Sequence, residues 1–277
     1  MNAANRYTPT PRPVQGHHAR KRFGQNFLVD QGIIDQIARA IDAREGQLVV
    51  EIGPGLGALT RRILADIQPL HVIELDRDLV ARLTQQYPTS QLVVHAGDAL
   101  AFNFAELAQA AGLGLRVIGN LPYNISSPLL FHLQQYRAHI LDQHFMLQKE
   151  VVMRLVAEPG TKAYSRLSVM LQLDYDMTHL FDVPPHCFNP PPQVDSAIVR
   201  MQPREYPGSE NLDRTLFAKL VTQAFSQRRK VLKNTLSELL AGVDYAACGL
   251  DMQARAEEIG LPVYVAVTHA WQQARLA

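Results

Sequence analysis

The chain is poor in cysteine: Cys187 and Cys248 are its two, far apart in 277 residues and in no C-x-x-C pair. They offer neither a disulfide framework nor a zinc site, which fits a reducing compartment. Long apolar runs are missing too. None approaches the roughly 20 residues a membrane helix needs, and the N-terminus lacks the apolar core of a secretory signal. The expected location is cytoplasmic. An excess of one charge is also absent, with 27 Lys and Arg against 26 Asp and Glu for a net charge of +1. No global field marks a nucleic-acid binder, so any such role must rest on local basic patches. No metal is expected, and His17 and His18 read as tail residues. What remains, 47% hydrophobic and 19% charged residues, is an ordinary globular composition long enough for one large domain plus a small one.

Acidic residues are absent from 1–22, a stretch rich in Pro, Asn, Thr, His and Arg that reads as a disordered basic tail. Helical spacing begins with Ile33, Ile34, Ile37, Ala38 and Ile41, with Asp30 placed to cap the start and Gly46 to end it. Short apolar runs then follow at 48–52, 71–75, 91–95, 115–118 and 144–147, separated by amphipathic stretches such as 58–65 and 78–86. That is the βαβ rhythm of an α/β fold, a doubly wound and mostly parallel sheet covered on both faces. A further strand is expected at 196–201. From about residue 205 the rhythm stops, and 212–227, 230–241, 252–258 and 264–276 read as helices. The expected division is a tail at 1–22, a catalytic domain at 23–204 and a small C-terminal α-helical domain at 205–277.

Ligands on such sheets bind beyond the carboxyl ends of the strands, so the strand tips carry the argument. After the first comes Glu51-Ile52-Gly53-Pro54-Gly55-Leu56-Gly57, whose glycines let backbone approach a ligand closely. The spacing is G-x-G-x-G and not the G-x-G-x-x-G of dinucleotide sites, so a ligand without a pyrophosphate is favoured. After the second, Glu74 is placed to accept both hydroxyls of an adenosine ribose. After the third, Asp98 can take a hydrogen bond from an adenine amino group. Singly, the glycines could be helix-packing devices, Glu74 a surface carboxylate and Asp98 a helix cap; together they outline an adenosine pocket. After the fourth comes "GNLPYNIS" (119–126), with an amide, a stiff proline and an aromatic ring at one tip.

Asn26, "EIGPGLG", "IELD", "GDAL" and "GNLPYNIS" together resemble the class I S-adenosylmethionine-dependent methyltransferases that act on adenine N6 of ribosomal RNA. "KRFGQNFL" (21–28), "HFMLQKEVVMRL" (144–155), "YSRLSVMLQ" (164–172), "FNPPPQVDSAIVR" (188–200) and "FSQRRKVLKNTL" (225–236) extend the likeness from about residue 20 to the C-terminus. Within that group the chain looks like the bacterial small-subunit rRNA adenine N6-dimethyltransferases. The resemblance implies a Rossmann-like catalytic domain with S-adenosyl-L-methionine as cofactor. The cofactor would be held by Asn26, Leu28, Gly53, Gly55, Glu74, Asp98 and Asn120.

The substrate it implies is a pair of adjacent adenosines in a hairpin loop near the 3′ end of small-subunit rRNA, within an immature small subunit. Asn120 would accept from the N6 amino group with the Leu121 carbonyl as a second acceptor, and Pro122 would stiffen the turn. Tyr123 would stack on the flipped base, and Phe188 would close on its other face. Lys21, Arg22 and Phe23, with Arg228, Arg229, Lys230 and Lys233, would meet the RNA. A monomer is expected. Three other readings stay open: a large-subunit rRNA methyltransferase, a mainly non-catalytic ribosome-assembly factor, and, as a poor fit, an NAD-dependent oxidoreductase.

Overall fold

A computed structural model of the chain describes residues 25–227 and 229–276. The tail at 1–22, with Lys21, Arg22, Phe23 and Arg228, lies outside the described residues. In chain order the elements are β1 (Phe27–Leu28), α1 (Gln31–Ile41), β2 (Leu48–Ile52), α2 (Ala58–Ile63), β3 (Leu70–Glu74), α3 (Arg77–Gln86), β4 (Leu92–Ala96), α4 (Phe104–Ala111), β5 (Leu115–Asn120) and α5 (Ser126–Gln134). Then follow β6 (Ile140–Gln148), α6 (Lys149–Leu155), α7 (Arg166–Gln172), β7 (Tyr175–Val183), β8 (Phe188–Asn189), β9 (Ser196–Pro203), α8 (Arg214–Ala224), α9 (Leu232–Leu236) and α10 (Leu261–Ala274).

Among the described residues, seven strands form one sheet in the order β4-β3-β2-β5-β6-β9-β7. The first five run parallel; β9 is antiparallel to β6, and β7, antiparallel to β9, runs in the direction of the first five. Side chains alternate across a strand, so the near-continuous apolar runs of β2, β5 and β6 supply two cores at once. Val50, Ile52, Val117, Phe145 and Leu147 pack beneath helices on one face. Val49, Val72, Ile118 and Met146 pack under Ile34, Ile37 and Ile41 of α1 and Leu59 and Ile63 of α2 on the other. The buried Arg116 of β5 is fully used. It clamps Asp142 of β6 through Nε and Nη2 at 2.8–3.1 Å and donates to the Asp42 and Ile41 carbonyls and to Gln47.

Local endings depart from expectation at three places. Asp30 caps α1 by accepting from the Ile33 amide at 2.9 Å, but Gly46 does not end the helix. Asp42 adopts a left-handed φ of 48° and donates its amide to Ala38, closing α1 before the loop is reached. The helix expected over 230–241 shortens to α9, and 252–258 yields only a 3-10 turn at Ala256–Glu258. Long-range pairing explains both, because the Leu232 and Lys233 amides donate to the Ala254 and Met252 carbonyls. Those two segments satisfy their backbone across the lobe instead of along a helix.

The helical lobe has its own core of Phe217, Leu220, Leu232, Leu236, Tyr264, Val267 and Trp271. That core also takes in Tyr164, Val169 and Leu173, which precede residue 205. We retain the 204/205 division as a proposal, with α7 a shared wall: its Leu171 faces the sheet's core and its Val169 the helical one.

Candidate active site

The parallel strands β2, β3 and β5 end on one side of the sheet, and their tips open onto a cavity of about 210 Å³. Gly119 makes the close approach possible. A Cβ on it would lie 2.5 Å from the Ile52 carbonyl oxygen, so β5 can pass the end of β2 only with glycine there. Gly55 has φ +58°, and a Cβ on it would come within 3.2 Å of the Phe27 ring. Backbone and a ring from β1 thus form one cradle wall.

Glu74 is buried at the end of β3, where it accepts from the Asp76 amide at 2.8 Å and the Gly55 amide at 3.2 Å. Burial raises its carboxyl above the usual value, and these hydrogen bonds oppose the rise. Asp98 is exposed at the rim and accepts from the Leu100 amide at 2.9 Å, so it also caps its turn. Glu51 is the most perturbed carboxyl in the cavity wall. Burial pushes it up to about 7, against a 2.6 Å hydrogen bond donated by Thr60 that lowers it.

The fourth tip is held from several sides. The Leu121 amide donates to Met146 of β6 at 3.1 Å, and the Pro122 carbonyl accepts from Ile125 at 3.1 Å. Tyr123 Oη lies 2.6 Å from the buried Ser196 Oγ, which orients the ring against β9. Burial raises the phenol's pKa, and the Ser196 bond opposes the rise. Asn120 Nδ2 donates to the Asn26 carbonyl at 3.1 Å, so the amide is oriented by a segment far away in sequence. With the nitrogen so engaged, Oδ1 is the end of Asn120 left to accept from a ligand.

Asn26, Leu28, Gly53, Gly55, Glu74, Asp98, Asn120, Leu121, Pro122 and Tyr123 therefore all line one cavity. Phe188 does not. It pairs with Leu28 in the β1–β8 ribbon and is buried in the core with Leu28, Val183 and Ile198. Arg229, Lys230 and Lys233 are exposed on the helical lobe and take no part in the cavity. Phe27, Glu51, Ile125 and His144, to which the motifs give no role, also line it. Phe27 and Glu51 were within reach, being embedded in the "QNFL" and "EIGPG" motifs. His144 sits inside an apolar strand, where nothing in the spacing singles it out. Among the described residues, no group of three metal-ligating side chains gathers, and no helix is long and apolar enough to cross a membrane.

Comparison with known proteins gives this geometry its context. Residues 16–266 match the family model described as ribosomal RNA adenine dimethylase. The ribosomal RNA small subunit methyltransferase A of Burkholderia pseudomallei is 57% identical over 269 residues, covering 95% of this chain and 98% of that protein. Its counterpart in Burkholderia multivorans is 56% identical, covering 96% and 98%. Among solved structures, a dimethyladenosine transferase from Plasmodium falciparum superposes with a TM-score of 0.74 at 25% identity, covering 90% of this chain and 98% of that one. The 23S rRNA methyltransferase ErmE shares the fold, with a TM-score of 0.67 at 23% identity, covering 90% and 100%. With a mostly parallel sheet, a cavity at its strand tips and near-complete coverage by these relatives, the chain belongs to the ribosomal RNA adenine dimethylase family.

Proposed function

We propose that the chain transfers methyl groups from S-adenosyl-L-methionine to N6 of two adjacent adenosines in a hairpin loop near the 3′ end of small-subunit rRNA. It would act as a monomer on an immature small subunit in the cytoplasm. The observation that carries this reading is the Asn120 amide, whose nitrogen is engaged by the Asn26 carbonyl and whose oxygen is left at the cavity. An acceptor there selects an amino group and would repel a carbonyl.

The residues fit the cofactor. Glu74 presents a buried carboxylate to a ribose, and the Gly53–Gly55 backbone leaves a cradle that side chains would fill. Asp98 stands at the rim for the adenine. When bound, the cofactor supplies a methyl already activated by its sulfonium. The protein then has to position the nucleophile, since the N6 lone pair is delocalised into the purine ring. Alignment of two reactants removes on the order of 7–11 kcal/mol from a bimolecular barrier. Asn120 Oδ1 and the Leu121 carbonyl, accepting from the two N–H bonds, return electron density to the nitrogen. Tyr123, its hydroxyl tethered to Ser196, offers a fixed face to the flipped base, worth roughly 1–3 kcal/mol. The proton becomes acidic once the nitrogen is methylated and passes to water, so no strong base is required. Arg229, Lys230 and Lys233, exposed on the helical lobe, would track the RNA backbone.

The test is incorporation of labelled methyl groups from the cofactor into undermethylated small subunits. Label in the two loop adenosines is expected. Label confined to large-subunit RNA would favour the other methyltransferase reading. An Asn120→Ala protein that no longer methylates yet still restores subunit maturation would make assembly the primary role.

A further inference from the structure

His144 lies in the middle of β6, beside Ile118 of β5 and Arg200 of β9. It is 4% exposed and lines the cavity with Ile37, Met146 and Ile198. Both ring nitrogens are buried without a hydrogen-bond partner. Asp142, two residues earlier on the same face, has its Oδ1 3.7 Å from Nδ1. That distance is too long for a hydrogen bond but within ion-pair range. Asp142 is fixed in turn by the Arg116 clamp. Nδ1 is the nitrogen nearer Asp142, which leaves Nε2 as the donor available to a ligand.

Leaving a polar group buried and unpaired is costly, so this edge calls for a ligand atom. The charges of the cavity wall say which kind. Among the described residues, Glu51, Glu74 and Asp98 line it, no Lys or Arg does, and His144 is the one lining side chain able to carry a positive charge. Arg200 flanks it on the neighbouring strand, and α1 offers only aliphatic side chains to this region. An anionic group entering a space lined by these carboxyls meets a charge partner in His144.

We infer that His144 is a binding residue for the carboxylate of the cofactor's amino-acid tail, donating through Nε2 while Asp142, held by Arg116, supports the ring from behind. The assignment rests on the cofactor reading above. It places the nucleoside under β3 and β4 and the tail under β6, so the ligand spans the sheet with its methyl carried past Asn120.

The test measures affinity by calorimetry, without RNA or turnover, for S-adenosylmethionine and for its decarboxylated analogue. The proteins are the wild type, His144→Leu and His144→Gln. The wild type should favour the carboxylate-bearing ligand by about tenfold or more, the range of a hydrogen bond to a charged group. His144→Leu should bring that ratio close to one while changing affinity for the analogue less than about twofold. His144→Gln, which keeps a donor, should fall between, and it serves if the leucine variant does not fold. Equal weakening of both ligands would overturn the inference in favour of a packing role. An unchanged ratio would overturn it in favour of a ring held by water. A wild type that binds both ligands equally refutes the His144 assignment alone, whereas one that binds neither refutes the cofactor reading itself.

Discussion

Asn120 and Glu51 stand on the same wall and illustrate two fates of a polar group at a strand end. Asn120 is oriented by one hydrogen bond and makes little of the core. Asn120→Ala should lower the methylation rate on the order of 100-fold or more, by analogy with the loss of one preorganised polar group at a reacting centre, with the melting temperature nearly unchanged. Glu51 is buried and held up at about 7, against an ordinary 4.5. Between those values the unfolded chain loses the proton while the folded chain keeps it, so this group's contribution to stability falls as pH rises through that window and is flat above 7. Glu51→Gln keeps an acceptor for Thr60 and removes the ionisation. Measured by thermal melting without cofactor, it should match the wild type near pH 4.5. At pH 8 it should be more stable by up to about 3 kcal/mol. Gly119→Ala should be the harshest of these changes, because the added carbon meets a backbone oxygen at 2.5 Å with no flexible atom to yield. Soluble yield or melting temperature reads it. Asn120, Glu74 and Asp98 were legible as polar residues directly after apolar runs; His144 was not, since an imidazole within a strand looks like any other filler.

Secondary structure was readable where periodicity was long and one-sided. The parallel strands β2 to β6 and helices α1, α3, α8 and α10 all stand close to their expected places. β7 escaped notice because it is an edge strand that alternates polar and apolar residues and shifts register between His179 and Phe181. β1 and β8, at two residues each, are too short for any pattern; only their pairing defines them. That ribbon decides how Phe188 is tested. Its ring is buried in the core, so Phe188→Ala should cost about 3–5 kcal/mol on unfolding in denaturant. Phe188→Leu separates packing from base stacking. If packing is the whole role, the variant keeps near-normal methylation. If the ring must reach the base, the variant folds and methylates poorly.

The sheet and the helical lobe share a buried carboxylate as well as α7. Asp174 accepts from Gln134 at 2.6 Å, from Arg214 of the helical lobe at 2.6 Å and from Arg137 at 3.2 Å. Both arginines are about 40% exposed, which screens their attraction. Asp174→Asn should therefore cost only roughly 1–3 kcal/mol, yet broaden or split the calorimetric transition as the lobes lose their common anchor. No sequence pattern reveals such a node, because its members come from three separate stretches of chain. The bond from Asn120 to the Asn26 carbonyl has the same long-range character and a sharper consequence. An amide is nearly symmetric in shape and opposite in polarity at its two ends, so without that carbonyl it could turn over and offer hydrogens where a lone pair is needed. The stretch ahead of β1 thus works as a polarity key. Without that one bond the cavity could no longer tell an amino purine from a keto one.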